Sequence, residues 1–185
     1  SLRQEMQQLY RLDLVGIQHV QEARVHLPHL VQALQRAVGT SSADIRITAV
    51  AQMYDAQKRL QEALIQARPT LNRQSSLTSM AEFEMALQRL QSRGNDALDL
   101  AGRGYQGQAL ALLSSKEFLE LERESDTLLS RVAENKEADI HDTAKYLADY
   151  AVRSSNVTYA LLLGGSTLAL ILAWLVSRSI RRPLH

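Results

Sequence analysis

The sequence predicts an all-α protein, an antiparallel up-down-up-down four-helix bundle that continues into one transmembrane helix. Three observations support this prediction. Proline occurs only at Pro28, Pro69 and Pro183, while strong helix formers dominate the composition. Apolar residues recur at steps of three and four along most of the chain. Asn156 to Ser177 carries no charged residue, and it has about the 20 residues that a helix needs to cross a bilayer.

The first helix is predicted from about Leu2 to Val38. Gly39 to Ser42 should end it and supply the N-cap of the next helix. Pro28 should remove one backbone hydrogen bond and bend the helix locally. The positions expected to face inward are Met6, Leu9, Ile17, Val20, Leu27, Leu30, Leu34 and Val38.

The second and third helices follow the same periodicity. The second should run from about Ala43 to Ala67 and stop at Pro69, which cannot continue the backbone hydrogen bonds. Its inward positions are Val50, Met53, Leu60 and Leu64. After a polar loop from Asn72 to Ser76, the third helix has a coiled-coil-like apolar seam. That seam comprises Met80, Phe83, Leu87, Leu90, Gly94, Ala97 and Ala101.

The fourth helix should begin between Gln106 and Lys116 and continue directly into the membrane. Neither glycine nor proline interrupts Lys116 to Val157. Its inward positions are Phe118, Leu121, Leu128, Val132, Ile140 and Leu147. Gly102 to Gly107 matches G-x-G-x-x-G, but a helix precedes it rather than a strand, which favours a turn over a dinucleotide site. Short connections between such long helices favour antiparallel neighbours.

Charge around the uncharged segment predicts its orientation. Arg178, Arg181 and Arg182 follow it, whereas only Arg153 lies close before it, so the C-terminus should be cytoplasmic. Tyr159 and Trp174 should lie at the two interfaces. We therefore expect an extracytoplasmic domain over 1–155, a transmembrane helix over 156–177 and a cytoplasmic segment over 178–185. Since Ser1 falls within a helical pattern, we also expect a preceding transmembrane helix, and an output module after His185.

Composition excludes several classes of function. The chain has no cysteine, which rules out disulfide and thiolate chemistry and is compatible with a bacterial periplasm. A net charge of +1 gives no basis for a nucleic-acid partner. No nucleophile and base are paired, and no phosphate loop or closed metal signature is present. We predict that the protein is not an enzyme and needs no cofactor.

One side of the first helix carries imidazoles. His19, Glu22, His26 and His29 share that side because their offsets are three, seven and ten. Such a stripe suits a divalent metal or a response to acid. A solvated or subunit-facing polar stripe is the favoured alternative.

A second set of residues suggests a carboxylate site at the end of the bundle farthest from the membrane. Arg36 and Arg46 flank the first turn, and guanidinium groups that converge there would bind a carboxylate, with hydroxyls completing the site. Ordinary solvated charges remain the alternative. The predicted ligand-binding residues are Arg36, Gln32, His29, Ser114, Ser115 and Lys116.

Two parts of the chain resemble a known family. The segment Ser177-Arg-Ser-Ile-Arg-Arg-Pro-Leu184 after a transmembrane helix resembles the start of a HAMP linker. The segments Gly16 to Ala23, Ala109 to Leu113 and Phe118 to Leu121 resemble the four-helix-bundle sensor domain of bacterial methyl-accepting chemotaxis receptors. The resemblance covers nearly the whole chain and rests on the order of these features.

The resemblance implies an inner-membrane homodimer that binds a small molecule between subunits and transmits the signal through its last helix. Arg36 resembles a ligand-binding arginine late in the first helix, and Ser114 to Lys116 resemble the segment that faces it. The chain departs from the family pattern where Pro28 interrupts the first helix. Two alternatives stay open: the same input module on a histidine kinase or diguanylate cyclase, and a membrane-anchored helical structural protein without a ligand.

Overall fold

The computed structural model describes the backbone of residues 2–180 and the side chains of residues 4–5 and 7–153. Over that part of the chain the fold is all-helical, with no strand. A 3-10 helix, Arg68–Thr70, separates the second and third α-helices. The α-helices are α1 (Leu2–Gly39), α2 (Ala43–Ala67), α3 (Gln74–Gly102), α4 (Gln106–Leu113) and α5 (Lys116–Ile180).

One apolar cluster receives side chains from all five helices. Phe83 of α3 and Phe118 of α5 are fully buried in it. The predicted seam of α3 is confirmed, because every one of its seven positions is buried. Burial of a side chain of this size stabilises the fold by about 1.5–3 kcal/mol, so this cluster is the main source of cohesion between the helices.

Helices α1 and α2 pack closely against each other through small side chains. Alanine has no branch or ring that would hold two backbones apart. The buried alanines of these helices include Ala33, Ala37, Ala49, Ala56, Ala63 and Ala67. Two of them, Ala33 and Ala56, lie in the floor of the groove described below.

Helix α1 has the bounds predicted for the first helix to within one residue, and it continues through Pro28 to Gly39 without being interrupted there. Pro28 itself is exposed, while Leu27 and Leu30 beside it are buried, so packing holds the helix on both sides of the missing backbone donor. Leu9 was expected inside but is exposed, and Met6 lies outside the residues with described side chains.

The ends of α2 and the start of α3 follow local chemistry. Ser42 caps α2 as predicted, with its Oγ accepting a hydrogen bond from Ile45 N at 3.5 Å. Pro69 ends α2 but lies inside the 3-10 helix, whose first positions need no backbone donor. The polar loop is shorter than predicted, because α3 already begins at Gln74 and Ser76 is fully buried in its first turn.

The segment predicted to open the fourth helix forms two helices. Gly104, with φ of 87°, lies in the predicted turn after α3, where a residue with a side chain would be strained. Helix α4 then ends at Leu113, and Ser115 Oγ accepts a hydrogen bond from Phe118 N at 3.2 Å at the start of α5. A serine that caps a new helix competes with continuation of the old one, which explains the break.

Polar contacts join further pairs of helices. Arg68 is ion-paired with Glu84 of α3. Arg93 of α3 donates from Nη2 to Glu117 Oε1 of α5 at 2.8 Å, and this hydrogen bond raises the pKa of the Arg93 guanidinium above its ordinary value. Lys136 of α5 is paired with Asp13 of α1.

The chain divides into two compact units, Ser1–His141 and Asp142–His185, and α5 has residues in both. Among the residues searched, which are those described, no helix is sufficiently long and apolar to cross a bilayer. The predicted span 156–177, its interfacial residues Tyr159 and Trp174, and the segment 178–185 lie outside the residues with described side chains.

Candidate functional site

A groove of about 630 Å³ lies between α1 and α2. Its apolar floor includes the buried side chains of Ala33 and Ala56. We call it the α1–α2 groove. The polar residues that line it are His26, His29, Gln32 and Arg36 from α1 and Thr48, Gln52, Asp55 and Arg59 from α2.

Three of the six predicted ligand-binding residues meet in this groove. His29, Gln32 and Arg36 follow one another at steps of three and four on α1, and all three side chains are exposed. Arg36 donates from Nη1 to Gln52 Oε1 at 3.2 Å. This bond uses one of the five N–H donors of the guanidinium, and a carboxylate can accept two parallel hydrogen bonds from such a group.

The far side of the groove was not predicted from the sequence. Arg59 Nε is paired with Asp55 Oδ2 at 2.9 Å, and both groups are exposed, so the pair contributes little to stability. Two guanidinium groups and one carboxylate therefore line the groove, which favours an anionic ligand. The one sequence signal for these residues was the short connection Thr40 to Ser42, which requires α1 and α2 to be antiparallel neighbours.

The position of Arg36 also has a structural explanation. It is the basic residue in the last turn of α1, where a cation interacts favourably with the negative end of the helix dipole. That same dipole disfavours an anion at this end of the groove. A bound acid would therefore depend on direct hydrogen bonds from Arg36 rather than on the field of the helix.

The residues of the imidazole stripe form two separate pairs of contacts and not one cluster. The rings of His26 and His29 meet edge to face, with centroids 6.1 Å apart and planes inclined by 64°. His19 Nδ1 lies 3.4 Å from Glu22 Oε2, farther along the same helix. No group of three histidine, aspartate or glutamate residues in the described part of the chain has the arrangement that a metal ion needs.

Ser114, Ser115 and Lys116 do not line the α1–α2 groove within one chain. Ser114 ends α4, and Ser115 caps α5. Lys116 is exposed and lies 3.6 Å from Glu120, measured from Nζ to Oε1. The break between the two helices thus accounts for the Ser115 side chain and for the backbone of Ser114, and Lys116 forms an exposed pair within α5.

Arg46 has a structural role in the turn between α1 and α2. Its Nε donates to the carbonyl oxygen of Ala37 at 3.3 Å and its Nη2 to that of Thr40 at 2.8 Å. The last carbonyl groups of a helix lack partners within the helix, so these bonds stabilise the end of α1. Arg46 is therefore turned to the backbone and does not line the groove beside Arg36.

Comparison with models of known protein families matched none of them, and comparison with curated proteins found no relative of this chain.

Proposed function

We propose that this chain is the ligand-sensing and transmembrane-signalling segment of a bacterial chemoreceptor. The observation that carries the proposal is the unbroken course of α5 from Lys116 to Ile180. Its N-terminal part packs in the apolar cluster, and its later part contains the uncharged segment 156–177. A continuous helix of this kind is the simplest mechanical link between a sensor and a membrane. The arginines that follow the segment support a cytoplasmic C-terminus, because cytoplasmic flanks of membrane helices are enriched in Lys and Arg.

In this proposal α1, α2, α3 and the first part of α5 form an antiparallel up-down-up-down bundle. Polar pairs between helices support it, because a residue later in one helix is joined to a residue earlier in its neighbour. The pairs are Arg36 with Gln52, Arg68 with Glu84, Arg93 with Glu117 and Asp13 with Lys136.

The proposed ligand is a small organic acid bound in the α1–α2 groove. Arg36 would hold its carboxylate bidentately, and Gln32 and His29 would complete the hydrogen bonds along α1. The protein acts as an inner-membrane homodimer in this proposal. Ser114, Ser115 and Lys116 then reach a ligand only from a second subunit, since they lie outside the groove of their own chain.

In this proposal the protein binds a ligand and transmits a signal, and it catalyses no reaction. Neither a cofactor nor a nucleic acid is part of it, in keeping with the near-neutral net charge of +1 and the absence of cysteine. A ligand shifts the signalling equilibrium only by its differential affinity for two states, and each tenfold shift requires about 1.4 kcal/mol. Two charge-assisted hydrogen bonds supply that much.

A chimeric receptor tests this function. Residues 1–185, preceded by a transmembrane helix, would be joined to the cytoplasmic signalling part of a characterised chemoreceptor. Acetate, succinate and citrate would be added in turn, and the switching of the flagellar motor measured. We expect a dose-dependent change with at least one acid. A chimera that reaches the membrane and responds to none of them would contradict an organic-acid receptor.

A further inference from the structure

Lys136 of α5 is a fully buried charged residue, with an exposed fraction of 0%. Lysine is almost never buried to this extent unless it is paired. Its Nζ donates to Asp13 Oδ1 of α1 at 2.5 Å and also to the carbonyl oxygen of Thr70 in the 3-10 helix. Asp13 is itself only 3% exposed. One ammonium group thus joins α5, α1 and the 3-10 helix, and none of the three residues involved lines the α1–α2 groove.

Gly16 makes this arrangement sterically possible. A Cβ atom on Gly16 would lie 2.8 Å from Lys136 Cε and 2.7 Å from Thr70 Cβ, distances that real side chains essentially never show. The 3-10 helix and the lysine stem therefore approach the backbone of α1 directly. We call Asp13, Gly16, Thr70 and Lys136 the buried lysine cluster.

A second ion pair lies on the same turn of α5. Asp139, three residues after Lys136, is paired with Arg73, which precedes the first residue of α3. The two pairs together connect α5 to α1, to the 3-10 helix and to the start of α3. A displacement of α5 along its axis changes all of these contacts at once.

Net stability is a poor explanation for such a cluster. Removing two charges from water costs several kilocalories per mole, and the attraction between them roughly repays that cost, so well-packed apolar residues are often as stable or more stable. Loss of only one of the two charged groups is different, because the other charge then stays buried without its opposite charge. Buried charges consequently discriminate strongly between arrangements that pair them and arrangements that do not.

Apolar seams alone discriminate weakly between registers. Leu121, Leu128 and Val132 follow one another on α5 at steps of seven and four, with the small buried Ser125 between the first two, so a slide by one turn, about 5.4 Å, exchanges contacts among apolar and small side chains. We infer that the buried lysine cluster fixes the axial register of α5 against α1 and the 3-10 helix. An axial movement of α5 that is too large for the hydrogen bonds of Lys136 to stretch would break them. Helix α5 would then change between two discrete positions instead of sliding gradually.

Disulfide trapping in the purified full chain tests this inference. The chain has no cysteine, so only introduced residues can react. Pro28→Cys would be combined in turn with Leu119→Cys, Glu122→Cys or Asp126→Cys; the four positions line one groove between α1 and α5. The three α5 positions are spaced by about one turn. Initial rates of intramolecular disulfide formation would be compared in the parent and in the double variant Asp13→Leu/Lys136→Met.

In the parent we expect one pair to oxidise faster than the next by about tenfold or more, because other registers leave the cluster unpaired. In the double variant this ratio should fall close to one. An unchanged ratio would overturn the inference. Loss of helical circular dichroism in the double variant would also overturn it, since the cluster would then serve stability and not register.

The matched control is Arg131→Met/Glu134→Leu, which removes two exposed charges of opposite sign from the same helix. This variant should keep the tenfold preference of the parent. A control that lost the preference equally would show that any change of charge on α5 has this effect, and it would overturn the inference as well. None of these readouts requires a ligand, so the result is independent of the proposed receptor function.

Discussion

Gly16 lies so close to Thr70 that a methyl group at its Cα would be 2.7 Å from Thr70 Cβ. Glycine to alanine within a helix normally stabilises by about 0.5–1 kcal/mol. Here we expect Gly16→Ala to lower the free energy of unfolding by about 1–3 kcal/mol, because the added group overpacks the contact with the 3-10 helix. Urea unfolding followed by circular dichroism measures this. Gly107→Ala is the control: nothing lies within 4 Å of the new methyl group, and it should be neutral or stabilising.

The ion pair between Lys136 and Asp13 should behave asymmetrically. Lys136→Met leaves the Asp13 carboxylate buried without its ammonium partner, and we expect a loss of about 3–5 kcal/mol in the free energy of unfolding. The double variant Asp13→Leu/Lys136→Met removes both charges and should be no more than about 1 kcal/mol less stable than the parent. If the double variant were as unstable as the single variant, the pair would be a net source of stability.

Arg36→Ala should abolish binding of the organic acid and change the free energy of unfolding by less than about 0.5 kcal/mol. The physical reason is that Arg36 is exposed and, among the residues with described side chains, has one side-chain hydrogen bond, to Gln52. Calorimetric titration measures the binding. Arg103→Ala is the control, because Arg103 is another exposed arginine and is paired with Asp99 outside the groove. Equal affinity in the Arg36 variant and the parent would remove Arg36 from the site.

Arg46→Ala should destabilise the turn between α1 and α2. It removes two hydrogen bonds to carbonyl groups at the end of α1, and we expect a cost of about 1 kcal/mol. Thermal unfolding would show a lower midpoint. Lys58→Ala is the comparison, because it removes only an exposed pair with Glu62 on α2 and should cost less than about 0.5 kcal/mol. Equal midpoints for the two variants would argue against the stabilising role of Arg46.

Transmission should depend on the continuity of α5. A short run of glycines inserted after Arg153 in the chimeric receptor should uncouple motor switching from the ligand while leaving ligand affinity unchanged, because glycine disfavours a continuous helix. Seven alanines, about two helical turns, are the matched insertion and should preserve more of the response. A glycine variant that responds as strongly as the parent would contradict transmission through this helix.

Hydrophobic periodicity and N-cap residues predicted most of the helices, because both signals come from residues that are close together in the sequence. Ser42 could be identified as a cap from its position before an amphipathic run, and the α3 seam from its regular steps. The start of the fourth helix was predicted only as lying between Gln106 and Lys116, because the apolar period continues across the break at Ser114 and Ser115, and α5 begins at Lys116. In such a place a single side-chain hydrogen bond to the backbone decides between one helix and two.

Lys136 and Asp13 were missed for a different reason. Lys136 follows Val132 by four residues and so falls on the apolar seam, but a charged side chain normally indicates solvent. The burial of this charge becomes apparent only when α5 is seen packed against α1 in the structure. The far side of the α1–α2 groove was missed similarly, because placing Arg59 opposite His29 requires the register of two antiparallel helices.

At the buried alanines of α1 and α2, substitution by a larger residue should be tolerated much less well than substitution by a smaller one. Truncation has little left to remove at Ala37, Ala49 or Ala67, where an alanine already occupies a site with almost no exposed surface. Enlargement at the same sites would force the two backbones apart. Since Ala33 and Ala56 also form the floor of the groove, the distance between its two polar walls is set by residues that accept almost no larger replacement. In the proposed receptor, ligand specificity can therefore diverge through changes in the polar walls while the floor stays constant.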